Sequence, residues 1–276
     1  YFPLTYTTFW LEYKLWGLNP TGYHIVNIAL HTINALLVWL LLSRLSVPGA
    51  WLASAIFALH PVHVESVAWI TERKNVLSCL FYLLAIAAWL KFIAKSASGS
   101  WKYYFLTILL YLLALFSKTT AVTLPAALLA IYWFKERRVE WKAVFYVIPF
   151  IVLGLIMGLI TMWWEYHHQG TQGKEFAFSA MERIIIASRA LWFYPYKLIW
   201  PTSLTFSYPR WELNPTNILE YRWLALSIIV MATLWRYRNI ADKGLIVAIA
   251  FFVANLTPML GFISLYTFRY TFVADH

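Results

Sequence analysis

The chain has 276 residues, 62% of them hydrophobic, 19% aromatic and only 12% charged, with 22 Lys and Arg against 12 Asp and Glu for a net charge of +10. Soluble domains carry about 25% charged residues, so this composition excludes a soluble fold and marks an integral membrane protein. The lone cysteine, Cys79, sits in an apolar run and excludes disulfides and cysteine-ligated metals, while the basic excess, which in a soluble chain would suggest nucleic acid, is what the positive-inside rule produces.

The chain opens on Tyr1-Phe2-Pro3-Leu4 without an initiator Met and ends without a polar tail, which reads as a stretch cut at both ends from a longer protein. Thr5 to Trp16 is aromatic and mildly amphipathic, and Gly17-Leu18-Asn19-Pro20 follows as a turn. That pattern predicts an interfacial helix, a plain anchor before the first membrane helix. Apolar runs near a bilayer crossing, about 20 residues, fall at 23–43, 49–70, 75–94, 143–163 and 244–263. Shorter runs at 103–117, 120–134 and 222–235 have aromatic or basic ends that can snorkel. A ninth run, 183–200, is interrupted by Arg183, Arg189, Pro195 and Lys197.

Inside the 23–43 run, His24, Asn27, His31 and Asn34 share one helix face. Such a face points into a bundle, either as interhelical hydrogen-bonding glue or as a ligand surface, with glue the commoner use. The segment from His60 to Asn75 then concentrates His60, His63, Glu65, Glu72, Arg73 and Lys74 at one membrane edge, with Pro61 kinking whatever helix enters it. Each ionisable group beside hydrocarbon costs about 2.5–3.5 kcal/mol on insertion scales, so such a cluster marks use. Arg73, as a planar fork, and Lys74, as a point charge, suit a phosphate at the membrane surface; the alternative pairs Glu72 locally and leaves the bases on lipid head groups. Lys118 stands apart in Ser117-Lys118-Thr119-Thr120 and either snorkels or meets an anionic head group. Trp163 to His168, Phe193 to Lys197, Trp200-Pro201 and Tyr208 to Trp211 form an aromatic-rich stretch that serves as a membrane belt or as a platform for sugar faces. His167-His168, with no Cys or carboxylate pair beside it, is a weak metal signal.

Charge sets the orientation. Arg44, Lys91, Lys95, Lys102, Lys135, Arg137, Arg138, Lys142, Arg236, Arg238 and Lys243 fall in short connections holding only three acids, Glu136, Glu140 and Asp242. These connections should face the cytoplasm, leaving 1–22, 60–75, 117–119, 164–221 and 264–276 outside. With both flanks of 183–200 outside, that run should lie on the outer surface or dip in and return.

Taken together, Tyr1-Phe2-Pro3-Leu4-Thr5, the run from Gly17 to Asn27, the His60–Asn75 segment, Ser117-Lys118 and Tyr194 to Pro209 resemble the membrane part of the transmembrane and tetratricopeptide-repeat O-mannosyltransferases and their bacterial relatives. His-Pro-x-His-x-Glu-Ser-Val-x-Trp-Ile-x-x-Arg-Lys carries most of the resemblance. Phe2 and Thr119 depart from it, standing where relatives often have Arg and Glu.

The resemblance implies an all-α polytopic bundle of the GT-C glycosyltransferase type, with about eight membrane helices plus a re-entrant or interfacial segment, in a single transmembrane domain over 1–276. It implies transfer of a hexose, mannose in that family, from a polyprenyl-phosphate donor to a hydroxyl, on a polypeptide in that family, at the outer or lumenal face of a bacterial inner membrane or endoplasmic reticulum membrane. It places the acidic catalytic pair in a loop before residue 1 and tetratricopeptide repeats after residue 276. Glu65, His60 and His63 become the catalytic candidates lining the cavity. Arg73, Lys74, Arg269 and Lys118 become phosphate candidates, and Tyr194 and Tyr208 further substrate contacts. No cofactor is assigned, a divalent metal stays open without support from these residues, and nucleic acid is excluded as a partner. A transporter or lipid flippase using the intramembrane His, Asn and Glu as a relay is the competing reading, although no repeated halves of the transporter kind are visible; a non-catalytic scaffold is a third.

Overall fold

The structure, a computed structural model, describes residues 2–94, 100–136, 140–168, 171, 173–237, 242–263 and 266–274. Lys95, Arg137, Arg138 and Arg238, four of the bases that set the expected orientation, lie outside them. The described chain is helical, with no strand. Among the described residues, four helices are long and apolar enough to cross a membrane, Pro20–Arg44, Ile70–Ala94, Trp141–His168 and Ile218–Arg236, and three shorter apolar ones are Ala50–Leu59, Trp101–Ser117 and Lys243–Met259. The protein is an all-α helical membrane bundle.

Two compact units divide within the longest helix, one ending at Thr161 and the other spanning Met162–Asp275. In the first, α1 (Pro3–Trp16) has Pro3 in its first turn and stops at Gly17, whose φ of 59° only glycine adopts readily. The Asn19 side chain accepts from the Thr21 N–H and Pro20 occupies the first helical position, so α2 (Pro20–Arg44) starts sharply. α3 (Ala50–Leu59) ends at His60, which precedes Pro61 in an extended conformation.

The expected crossing over 49–70 is therefore corrected. After α3 the chain runs through a 3₁₀ turn, a five-residue helix α4 (Val64–Ala68) and a second 3₁₀ turn before α5 (Arg73–Ala94). Pro61 supplies no N–H for a continuing ladder, and Trp69 is extended between the last two pieces. α6 (Trp101–Ser117), α7 (Leu124–Glu136) and α8 (Trp141–His168) follow.

α5 packs on α2, α6 and α7, and α2 on α3. Trp89, Tyr111, Leu115, Leu128, Val147 and Phe150 are fully enclosed in this core. In lipid, helix association relies on close packing and hydrogen bonds rather than on a hydrophobic driving force. The Asn34 amide donates to the Val76 carbonyl at 2.8 Å, the Ser54 hydroxyl to the Ala35 carbonyl at 2.6 Å and the Ser78 hydroxyl to the Ala114 carbonyl at 3.2 Å. Gly154 on α8 lies so close to α6 that an added Cβ would stand 2.5 Å from the Tyr111 hydroxyl. Since Tyr111 is fully buried, Gly154→Ala should destabilise the protein by about 1–3 kcal/mol, and Tyr111→Phe in the same chain should recover most of it. Equal melting midpoints for wild type and Gly154→Ala would refute this packing.

In the second unit, α9 (Ala180–Ile199) opens with a Ser179–Glu182 capping box and runs unbroken through Pro195. A dip-and-return within 183–200 is thus replaced by one continuous amphipathic helix, and α9 is not among those apolar enough to cross. α10 (Arg222–Arg236) packs on α9, with the Trp192 indole donating to the Ser227 hydroxyl at 2.9 Å. α11 (Lys243–Leu256) ends in a 3₁₀ turn at Pro258, short of the expected 263.

Candidate functional site

The polar stripe of α2 turns inward: Asn27 and Asn34 are fully buried and His31 nearly so. Asn27 donates to the Val67 and Trp69 carbonyls at 3.2 and 3.3 Å, fixing the broken segment after α4. His31 Nε2 lies 3.1 Å from the Ala58 carbonyl at the end of α3. The expectation that this face meets other helices holds for Asn27, His31 and Asn34: the partners of Asn27 and His31 are backbone groups around the breaks at Pro61 and Trp69, and that of Asn34 is the Val76 carbonyl of α5.

Arg73, at the start of α5, is fully buried. Its guanidinium forks onto both Glu12 carboxylate oxygens, donates through Nε to Asn27 and through a terminal nitrogen to the Tyr23 carbonyl at 3.0 Å, and lies over the Phe9 ring. The bidentate ion pair joins α1 to α5, and the guanidinium's remaining hydrogen bonds tie in α2. α1 is accordingly more than a plain anchor.

Its neighbour Lys74 has a different environment. Lys74 Nζ reaches Glu72 Oε1 at 2.7 Å and lies 5.5 Å from the Phe2 ring centroid. The other Glu72 oxygen accepts from the Asn75 amide at 2.8 Å, which also donates to the Ser66 hydroxyl at 2.9 Å. The Asn75 carbonyl oxygen in turn accepts from Lys118 Nζ at 2.6 Å. Lys118, expected to stand apart, is therefore joined to Lys74 through Glu72 and Asn75. Burial lowers the Lys118 pKa to about 8, with the Glu72 charge opposing the shift and the Lys74 charge adding to it. Each ammonium has three donors, and the described hydrogen bonds use one apiece. Lys74 on Glu72 and Lys118 on Asn75, two bases of one hydrogen-bonded network where α5 begins and α6 ends, can receive an anion.

His60 and His63 lie on the same broken segment. The His63 ring is 5.2 Å from His31, 4.5 Å from Phe57 and 6.4 Å from His60, centroid to centroid. His60 Nδ1 accepts from the Val62 N–H and caps the first 3₁₀ turn. Burial first, then the neighbouring His31 and His60, push the His63 pKa down to about 4. At neutral pH it is an uncharged imidazole that can exchange hydrogen bonds with hydroxyls, not a cation for phosphate. Glu65 opens α4 on the same segment and is partly buried. Among the described residues no three His, Cys, Asp or Glu side chains gather as a metal-ligand set.

Arg269, Tyr194 and Tyr208 belong to the second unit. Arg269 is half exposed and paired with Glu175 at 3.0 Å. Tyr208 is buried edge-on against Phe193, with Lys197 Nζ 5.0 Å from its ring centroid. Tyr194 also packs edge-on against Phe193, on α9. The buried Lys197 donates to the Thr202 carbonyl at 2.6 Å and closes the turn after α9.

Sequence reasoning missed Glu12, Asn75 and Ser66 and gave Glu72 only its local pairing. A lone carboxylate among the aromatics of α1 was the available signal for Glu12, since it needs a partner once buried. Asn75 lies one residue past the charged run, and nothing in its spacing announces Lys118.

Comparison with known proteins gives relatives of one kind. The chain is 41% identical over 44% of its length to the protein O-mannosyl-transferase Tmtc1 of Drosophila melanogaster, 33% identical over 45% to TMTC3 of Mus musculus, and 28% identical over 80% to TMTC2 of Mus musculus. These matches cover 14%, 14% and 29% of the relatives' own lengths, so the chain spans under a third of each. No family model matches the chain, and no solved structure does. Over a limited part of their length, the chain is similar to protein O-mannosyl-transferases of the transmembrane and tetratricopeptide-repeat kind.

Proposed function

We propose that the chain is part of a GT-C-type membrane glycosyltransferase that moves a hexose, mannose on the strength of the relatives' names, from a polyprenyl-phosphate donor to a hydroxyl of a polypeptide. The acceptor oxygen forms a bond to the sugar's anomeric carbon as that carbon's bond to the phosphate oxygen breaks. The bonding electrons leave with the phosphate, and the hydroxyl proton goes to a carboxylate expected upstream of this stretch. The observation that carries the reading is the pair Lys74 and Lys118, bridged by Glu72 and Asn75. Preorganised cations act most where negative charge builds as the glycosidic bond breaks.

In this reading Lys74 and Lys118 hold the lipid phosphate, and Arg73 serves them from behind by fixing the start of α5. Glu65, His60 and His63 line the sugar and acceptor side. Arg269, Tyr194 and Tyr208 stay substrate-contact candidates of the second unit, each taken by itself. Full-length protein with polyprenyl-phosphate mannose and a Ser/Thr peptide tests the activity; no transfer to any hydroxyl acceptor would end the reading.

Donor affinity carries a pH signature. Lys118 in the free protein is charged below about 8 and neutral above it. Donor binding should therefore weaken as pH rises through that value, and Lys118→Arg, which stays protonated, should flatten the curve. A wild-type profile already flat to pH 9.5 would remove Lys118 from the phosphate site.

The active face is placed away from the cytoplasm. On a Cys79→Ala background, single cysteines at positions 71 and 212 should label from the outer side, and one at 243 from the inner side. Labelling of positions 71 and 243 from the same side would contradict this.

A further inference from the structure

The two residues of α1 that are buried, Thr5 and Glu12, are polar, while Trp10, Leu11, Tyr13 and Leu15 are exposed. An anchoring helix that packed by its apolar residues would show the reverse. Both buried residues end beside the lysine pair. Glu12 binds Arg73, the residue before Lys74. The Thr5 hydroxyl donates to the carbonyl of Ser117, the residue before Lys118, at 3.1 Å. Between these pins Phe9 lies against the Arg73 guanidinium, and ahead of Thr5 the Phe2 ring lies against Lys74.

Thr5 and Glu12 are seven residues apart, two turns on one helix face. A helix rising 1.5 Å per residue holds them about 10 Å apart. One end of this rigid span therefore fixes the start of α5 and the other the end of α6, the two helix ends that carry the cations. We propose that α1 is a strap that sets the spacing of Lys74 and Lys118, with Thr5 and Glu12 as its positioning residues. What the lysines hold rests on the proposed function; the strap itself does not.

The test uses full-length protein in lipid nanodiscs and a small amine-reactive reagent, with the modification rate of each lysine followed by mass spectrometry. Thr5→Val removes the hydroxyl at nearly constant volume, and Glu12→Gln removes the charge. Either should raise Lys118 or Lys74 labelling by about tenfold, the scale of a local opening easier by one decade. Lys197, held in the second unit by its own carbonyl contacts, should not change. Turnover with polyprenyl-phosphate mannose should fall by up to about 10²-fold, the scale of a small misplacement of a catalytic group, with the donor KM within twofold. Thr5→Ser, which keeps the hydroxyl, should restore both readings. Faster labelling in a protein that transfers no sugar even as wild type would uphold the strap and overturn the function. Labelling of both lysines within twofold of wild type in Thr5→Val overturns the strap, whether or not Glu12→Gln folds.

Discussion

Alanine in place of Lys74 or Lys118 is expected to lower turnover of the full-length protein by about 10²-fold or more, the scale of losing one preorganised charge stabiliser. Lys74 is partly exposed and bound to Glu72, and Lys118 ends on Asn75. Lys74→Ala takes one partner from the buried Glu72 and leaves it the Asn75 amide, so melting should fall, but by less than in Arg73→Ala. The two losses should also be less than additive in the double variant, because Glu72 and Asn75 couple the lysines through one network. Turnover within threefold of wild type in both single variants would take the pair out of the mechanism.

The second large effect is on stability and concerns Arg73. From the sequence it belongs with Lys74 as an outer-surface base, where ion pairs contribute roughly 0–1 kcal/mol and truncation should leave stability intact. The structure corrects that placement: Arg73 is fully enclosed and forked onto a buried Glu12. Arg73→Ala strands the Glu12 carboxylate and should destabilise the protein by about 3–5 kcal/mol. At about 2–4 °C per kcal/mol, the melting midpoint should fall by roughly 10 °C. Replacing both partners with apolar residues, Glu12→Leu with Arg73→Met, should return stability close to wild type, since buried pairs are often neutral to such replacement. A midpoint for Arg73→Ala within a degree of wild type would contradict the buried pair. Activity lost in Arg73→Ala thus reports folding as well as chemistry, and the lysines are the cleaner probes of catalysis.

Much of this fold is legible from hydrophobic runs alone, because lipid demands apolar faces and internally satisfied backbone. The ends of α5, α6 and α10 fall within a few residues of their apolar runs. The inward face of α2 follows from the spacing of His24, Asn27, His31 and Asn34. Two things were not legible in detail. The kink at Pro61 was readable, but not that the chain would break into three short pieces between Pro61 and Glu72, with Asn27 collecting the Val67 and Trp69 carbonyls from 40 and 42 residues away. Pro195, by contrast, looked like an interruption and is accommodated inside α9. In the site, the charged cluster was visible but its division was not. Adjacent Arg73 and Lys74 face different surroundings, and only the packing of α1 decides which is enclosed. The Lys118–Asn75 contact joins residues 43 apart, a pairing that no local pattern encodes.

The most direct test of the central claim is sugar transfer by the purified full-length protein in nanodiscs, given polyprenyl-phosphate mannose and a Ser/Thr-containing peptide. The account predicts transfer by the wild type, about 10²-fold less in Lys74→Ala and Lys118→Ala in protein that still folds, and a donor dependence that weakens above pH 8 only while Lys118 is present. Lipid-linked sugar crossing the bilayer without being transferred to any hydroxyl, at equal rates in wild type and both variants, would contradict it.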